Sequence, residues 1–191
     1  AGGGSIAHKG AGGTLQVGPR SAGAVPGPVA YGTGGTEPAV TDANLVLGYL
    51  DPGRFLGGAR KLDRDAARES VARLGSAFGI HALVNTRMAD GVRVATVRRG
   101  VDPRGSVLLA FGGAAGLHAT EVARDLGMAR VAVPLLAAGL SAWGMLRTEL
   151  RAQVTRSVLG ADAMPEDDAI ASLFAGLEAE ARARLAGWVE G

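Results

Sequence analysis

Phe111-Gly-Gly-Ala-Ala-Gly-Leu-His118 sets paired glycines between an apolar run and the start of a helix. Glycines there let a ligand approach the backbone, and the helix N-terminus favours an anion or a nucleotide edge. The spacing is not G-x-G-x-x-G, which disfavours a dinucleotide site. The same residues equally serve a tight turn with close helix–strand packing. His118 would fall in the first helical turn, placed to stack on or hydrogen-bond a ligand. A second stretch, Ala1-Gly-Gly-Gly-Ser5, could form an anion-binding nest of backbone N–H groups or a flexible end. It lacks the Lys and Ser/Thr of a P-loop. A third set, Glu37, Asp42 and Asn44, brings three oxygen-bearing side chains into a nearly uncharged stretch. They could hold Mg²⁺ or orient a water or polar substrate. Asp42 is also placed to cap a helix beginning near Ala43. His8 and His81 have no evident partner and read as surface or core residues. A lone histidine beside a turn makes no metal site. No G-x-S-x-G elbow or Ser–His–Asp order supports hydrolase triad chemistry.

Composition narrows the classes. The chain has 191 residues, 47% hydrophobic, which suffices for a core and excludes a disordered tail. No cysteine is present, so disulfides, thiolate metal sites and cysteine nucleophiles are excluded, and a cytoplasmic protein is expected. The net charge is +2 with acids and bases interspersed, so no nucleic-acid partner is expected. The longest apolar stretch, Val131 to Trp143, is too short for a bilayer and contains Pro134, so no membrane partner is expected either. The chain opens inside a glycine run, as a piece of a longer protein would.

Three segments follow from the changes in pattern. Residues 1–62 form a Gly/Pro-rich hairpin and loop region, with Ser5–Lys9 and Thr14–Val17 as strands around Gly10-Ala-Gly-Gly13. Gly18 to Thr41 reads as a long, functional loop. Residues 63–146 alternate helix and strand. Asp63 caps a helix bearing Ala67, Val71, Leu74 and Phe78, with a break at Gly79. A second helical run carries Ile80, Leu83, Val84, Met88, Val92 and Ala95. Asp102-Pro-Arg-Gly105 is a turn, and Ser106–Phe111 is a continuous apolar run, as in a strand buried on both faces. Arg130–Pro134 would be a parallel partner strand across a helix. Residues 147–191 form a helical segment or linker. Its helix begins at Pro165-Glu-Asp-Asp168 and carries Ile170, Phe174, Leu177, Ala181, Leu185 and Trp188 in one stripe.

Several motifs, taken in order, resemble the hydantoinase A / 5-oxoprolinase family. They are Gly2-Gly-Gly-Ser-Ile-Ala7, Val17-Gly-Pro-Arg-Ser-Ala-Gly23, Pro26-Gly-Pro28 with Tyr31-Gly32, Gly34-Gly-Thr-Glu-Pro38 and Val40-Thr-Asp-Ala-Asn-Leu-Val-Leu-Gly48. Phe55-Leu-Gly-Gly58, the helix with Asn85 and Met88, Arg99-Gly100, Asp102-Pro-Arg104, Ala110-Phe-Gly-Gly-Ala114 and Leu117-His-Ala119 continue the match to about Leu146. The resemblance implies an α/β chain that is part of an actin/sugar kinase/Hsp70-like ATPase fold. It implies an ATP-dependent hydrolase of cyclic amides, with ATP and a divalent metal such as Mg as cofactors. Its partners would be a small cyclic amide substrate, the missing N-terminal half of the ATPase core and a hydantoinase B-type subunit or domain. On that analogy Gly112, Gly113, Ala114 and His118 sit against the adenosine, and Gly2, Gly3, Gly4 and Ser5 line the same cleft. Glu37, Asp42 and Asn44 would face substrate or metal.

The chain departs from the family pattern in places. Ala115-Gly116 stands where Gly-Pro is usual, Ala30 where Cys is usual, and Pro134-Leu-Leu-Ala137 where Pro-Pro-His-Pro is usual. The fold's Asp-Gly-rich phosphate loops are not among these residues, so the chain alone is not expected to hydrolyse ATP. A ketone carboxylase subunit and a non-catalytic scaffold that kept the fold are the rival readings.

Overall fold

The structure, a computed structural model, describes residues 2–157 and 166–189. The chain divides into two compact units, Ala1–Ser141 and Ala142–Gly191. Strand β1 (Ser5–Lys9) pairs antiparallel with β2 (Leu15–Ser21), with Ala7 opposite Val17 and a register irregularity between Ser5 and Ala7. A 3₁₀ turn at Ala11–Gly13 closes the hairpin, as the glycines predict. β2 runs four residues beyond the expected Val17, through Gly18 to Ser21, so the long loop begins later than its composition suggests.

That loop leads through a 3₁₀ turn at Val29–Tyr31 to helix α1 (Val40–Val46). α2 (Arg64–Ala72) starts at Asp63, whose carboxylate accepts from the N–H groups of Asp65 and Ala66. The expected break at Gly79 falls earlier. Gly75, at φ +119°, ends the α2 turn, and Ser76 caps α3 (Ala77–Val97). Gly79 is inside the first turn of α3, where its N–H donates to the Ser76 hydroxyl. Phe78 therefore leaves the apolar stripe and is exposed.

Val40, Ala43, Ile80, Val84 and Val71 form one core with Ala7 and Val17 of the hairpin. α1 packs on both α2 and α3. The expected boundary between residues 62 and 63 consequently has no counterpart, because the core runs across it. The second expected boundary, at 146–147, falls instead at Ser141–Ala142.

The remainder of the first unit is the βαβ element. β3 (Val107–Leu109) pairs parallel with β4 (Arg130–Ala132) across α4 (Ala119–Asp125). α4 lays Val122 on Ala89 of α3. β3 is not covered on both faces: Val107, Leu109 and Phe111 are about half exposed, at 45%, 51% and 47%. A continuous apolar run signals that both faces are made to be covered, but among the described residues only Leu108 of the run enters a core cluster.

α5 (Leu140–Met145) spans the division between the units. In the second unit the Arg147 guanidinium lies over the Trp143 ring. α6 (Asp167–Val189) carries Asp167 and Asp168 in its first turn, where they suit the helix dipole. The expected start at Pro165 lies outside the described residues. Of the predicted stripe, Ile170, Leu177, Ala181 and Leu185 are half-buried, while Phe174 and Trp188 are exposed. No helix among the described residues is long and apolar enough to cross a membrane.

Candidate functional site

The Gly-Gly turn sits where β3 ends. Gly112 adopts φ +91°, a conformation that costs a non-glycine residue its Cβ clearance. Its N–H donates to the carbonyl of Ala137 at 2.7 Å, which pins the turn to the segment after β4. A 3₁₀ turn, Ala115–Leu117, then leads to His118, whose carbonyl accepts the first α4 bond from Val122 N–H. A side chain at either Gly112 or Gly113 would meet only open space. Alongside lies an apolar cleft of about 440 Å³ between α3 (Met88, Gly91, Val92), β3 (Leu108) and the residues Phe111 and Ala115.

The N-terminal glycines meet this turn. A methyl group on Gly3 would lie 2.7 Å from Thr41 Oγ1 and 3.9 Å from the Ala114 methyl. Thr41 grips Gly3 twice, its N–H and its hydroxyl both donating to the Gly3 carbonyl, at 2.8 and 2.9 Å. The Gly4 carbonyl accepts from Ala22 N–H, and Ser5 Oγ accepts from Gly2 N–H, so that hydroxyl is turned onto the glycine run itself. Ser5 also borders a second cleft, of about 590 Å³, which shares Met88 and Gly91 with the first. Two glycine-rich stretches far apart in sequence are thus brought together at Gly3 and Ala114.

The three polar residues of the loop region are not brought together. Glu37 is exposed and paired with Arg20 through two hydrogen bonds, at 2.6 and 2.9 Å. The guanidinium holds the Glu37 carboxyl below the usual range. Asp42 is buried, and it is not the helix cap expected of it. It lies in the first turn of α1, where its carboxylate accepts from Ala39, Ala30 and Val29 N–H, at 2.7, 2.7 and 3.2 Å. Burial pushes its carboxyl up from the ordinary aspartate range, against those three donors, which favour the charged form. Asn44 stands two residues further on and faces the opposite way, as i and i+2 do on a helix. A shared metal or substrate site of Glu37, Asp42 and Asn44 is therefore corrected by the geometry. Among the described residues no three His, Asp or Glu side chains are grouped as a metal site requires.

Asn44 instead enters a polar junction. His81 Nδ1 lies 2.8 Å from Asn44 Oδ1, Asn44 Nδ2 lies 3.3 Å from His118 Nε2, and His118 Nδ1 lies 2.7 Å from Asn85 Oδ1. With the amides so oriented, each of these three bonds pairs a donor with an acceptor if both imidazoles are neutral and carry their proton on Nδ1. The two rings stack, centroids 4.6 Å apart and 20° from parallel, and Tyr49 lies against His81 at 5.0 Å. Burial, and then the neighbouring His81, pull His118 down to about 4. Burial likewise lowers His81, against the pull of Glu121. His81 Nε2 is buried with no hydrogen-bond partner. His118 is thus not a free ligand contact: both its ring nitrogens are engaged, and 2% of it is exposed.

His81, Asn85 and Thr41 are the residues to which sequence reading gives no site role. A signal existed for two of them. His81 and Asn85 are four apart beside the apolar Ile80–Val84 stripe, so they share a helix face that should have been dry.

Residues 1–154 match the family described as Hydantoinase/oxoprolinase. The alpha subunit of caprolactamase from Pseudomonas jessenii is 51% identical over 161 residues, 79% of this chain and 23% of that protein. The crystal structure of the ATP-dependent caprolactamase from that organism superposes with a TM-score of 0.70 at 50% identity, over 79% of this chain and 23% of that one. The acetophenone carboxylase gamma subunit of Aromatoleum aromaticum is 43% identical, over 65% of this chain and 19% of that protein. 5-oxoprolinase 1 of Arabidopsis thaliana is 39% identical, over 70% of this chain and 12% of its own length. The chain spans under a quarter of the length of these relatives. Both the motif order and these matches lead to one conclusion: the chain belongs to the hydantoinase/oxoprolinase family.

Proposed function

We propose that this chain is the adenosine-side portion of the ATP cleft in a longer, ATP-dependent cyclic amide hydrolase with an actin-like ATPase core. The observation that carries this reading is the Gly112–Gly113 turn, open to approach and flanked by an apolar cleft of about 440 Å³. A planar base and its ribose suit such a place, because the cleft removes apolar surface from water and the bare backbone allows close contact. The convergence of Gly3 on Ala114 supports a joint role for the two glycine stretches.

The fit extends to the nucleoside only. The donor set here suits neither a triphosphate nor its divalent ion, and on this reading both are held by other parts of the longer protein. When bound, ATP supplies the phosphoryl group that makes a stable amide oxygen a leaving-group site. The residues of this chain bind and orient the adenosine. No catalytic role falls to Glu37 or Asp42. A partner subunit is part of the proposal, since the relatives include a caprolactamase subunit alpha and an acetophenone carboxylase gamma subunit.

Gly113→Val tests the assignment in the full-length protein. Gly113 is not at positive φ and its Cβ direction is open, so the fold should tolerate the change within about 0.5 kcal/mol. Calorimetry with a non-hydrolysable ATP analogue should show affinity at least ~10-fold weaker, a loss of about 1.4 kcal/mol. Unchanged affinity would remove the adenosine assignment. Turnover of a ketone with bicarbonate, and none of a lactam or 5-oxoproline, would move the reading to the carboxylases.

A further inference from the structure

We infer that His118 is a positioning residue for the Gly112–Ala114 turn, acting with Asn44, His81 and Asn85 as one hydrogen-bonded unit. What the turn holds rests on the nucleotide reading above; that the turn is held does not.

The backbone of His118 is the joint between the turn and α4. Its N–H donates to Ala115 O and its carbonyl accepts from Val122 N–H. Its side chain binds Asn85 of α3 and Asn44 of α1 and stacks on His81. One side chain immediately behind the turn therefore ties three helices. α1 also reaches the front of the turn, because Thr41 holds Gly3, which abuts Ala114. Thr41 and Asn44 are three apart on α1 and so share one face. Both supports of the turn thus come from the same stretch of the same helix.

Packing alone does not account for these residue types. Apolar side chains would fill the same space without leaving His81 Nε2 buried and unpaired. Directional bonds add orientation, which apolar contacts do not. The unit also works in one protonation state. A proton on His118 Nε2 would face the Asn44 amide donors at 3.3 Å. The titratable groups around the unit are His81, which faces His118 directly, Tyr49 against the His81 ring, and Glu121, Arg124 and Asp125 of α4, which line the same pocket as His81 and Asn85.

The test uses the full-length protein with His118→Leu, His118→Gln and Asn85→Asp. Val84→Ala serves as a control, since it is buried in the core of α3 and belongs to no polar bond. Amide hydrogen exchange across residues 112–118 should accelerate at least ~10-fold in H118L. It should stay near native in V84A at matched overall stability, and H118Q should recover most of the protection. In N85D the new carboxylate holds a proton on His118. Exchange across the turn, corrected for its intrinsic pH dependence, and the Kd for a non-hydrolysable ATP analogue should then rise as pH falls from 7.5 to 5.5, where the native protein stays flat. N85D keeps the test usable if H118L does not fold. Equal exchange in H118L and V84A, or a flat profile in N85D, would overturn the positioning role. Altered exchange in a protein whose native form binds no nucleotide would uphold the positioning and sink the nucleotide reading.

Discussion

The two sides of the first unit treat burial in opposite ways. On the hairpin side, α1 is sealed: Val40, Ala43 and Leu45 are fully buried, and even Asp42 is enclosed. On the β3–β4 side, apolar residues are left in the open, with Leu109, Phe111 and Val133 about half exposed. A sealed core with every backbone donor answered is what a self-sufficient fold needs. An apolar face left open is a surface made for something else. The Asn44–His118 junction lies between the two, and it is polar where either neighbour would have been apolar. The first side is sealed, the second leaves apolar surface open, and the junction bonds α1, α3 and the start of α4 together.

The strongest way to break this division is Asp42→Ala. Three backbone N–H groups would lose their acceptor, and the purified protein should lose about 4 kcal/mol in urea denaturation. A loss below that of any single β3 substitution would reverse the comparison. Acid should act next, through the junction. The folded His118 lies near 4, below the ordinary value of 6.5. The unfolded chain therefore binds the extra proton between those limits, and stability falls as pH drops from 6.5 towards 4. The difference between native protein and His118→Gln over that window should be about 3 kcal/mol by thermal or chemical denaturation. An identical pH dependence in both would remove the neutral junction. Phe111→Ser, on the open side, should cost under about 1 kcal/mol in the isolated chain. The sharper result is that it weakens nucleotide affinity far more than it changes Tm. The smallest effect belongs to Arg20→Ala, whose exposed pair with Glu37 should leave Tm unchanged within error.

Where the signals were local, sequence reading located the elements. The hairpin follows from strand runs around a glycine turn, and the α2 start follows from Asp63. The parallel βαβ unit follows from two apolar runs flanking a helix. Reading failed at the α2–α3 break, because two glycines four apart offered the same signal and only the Ser76 cap separates them. It failed at Asp42, where an acid in the first turn suits either a cap or a bond to a remote loop. Strand β3 read as doubly buried because hydrophobicity records what a face is built to meet, not whether that partner is in this chain. The two glycine stretches read as candidate sites from sequence, and the fold brings Gly3 beside Ala114. That both ring nitrogens of His118 are engaged by Asn44 and Asn85 was not legible.

By itself, the sequence determined the family through the order of its motifs; it also determined the hairpin, the α2 start and the Gly-Gly turn, because each of these rests on residues within a few positions of one another. Tertiary structure decided what the polar residues do. Asn44 and His81 are 37 apart, and Asn44 and His118 are 74 apart. Whether such groups pair, and which way a carboxylate two residues away turns, depends on how α1, α3 and α4 pack. Side-chain direction is set by helix phase, but partners are set by which helices meet, and no local pattern encodes that meeting.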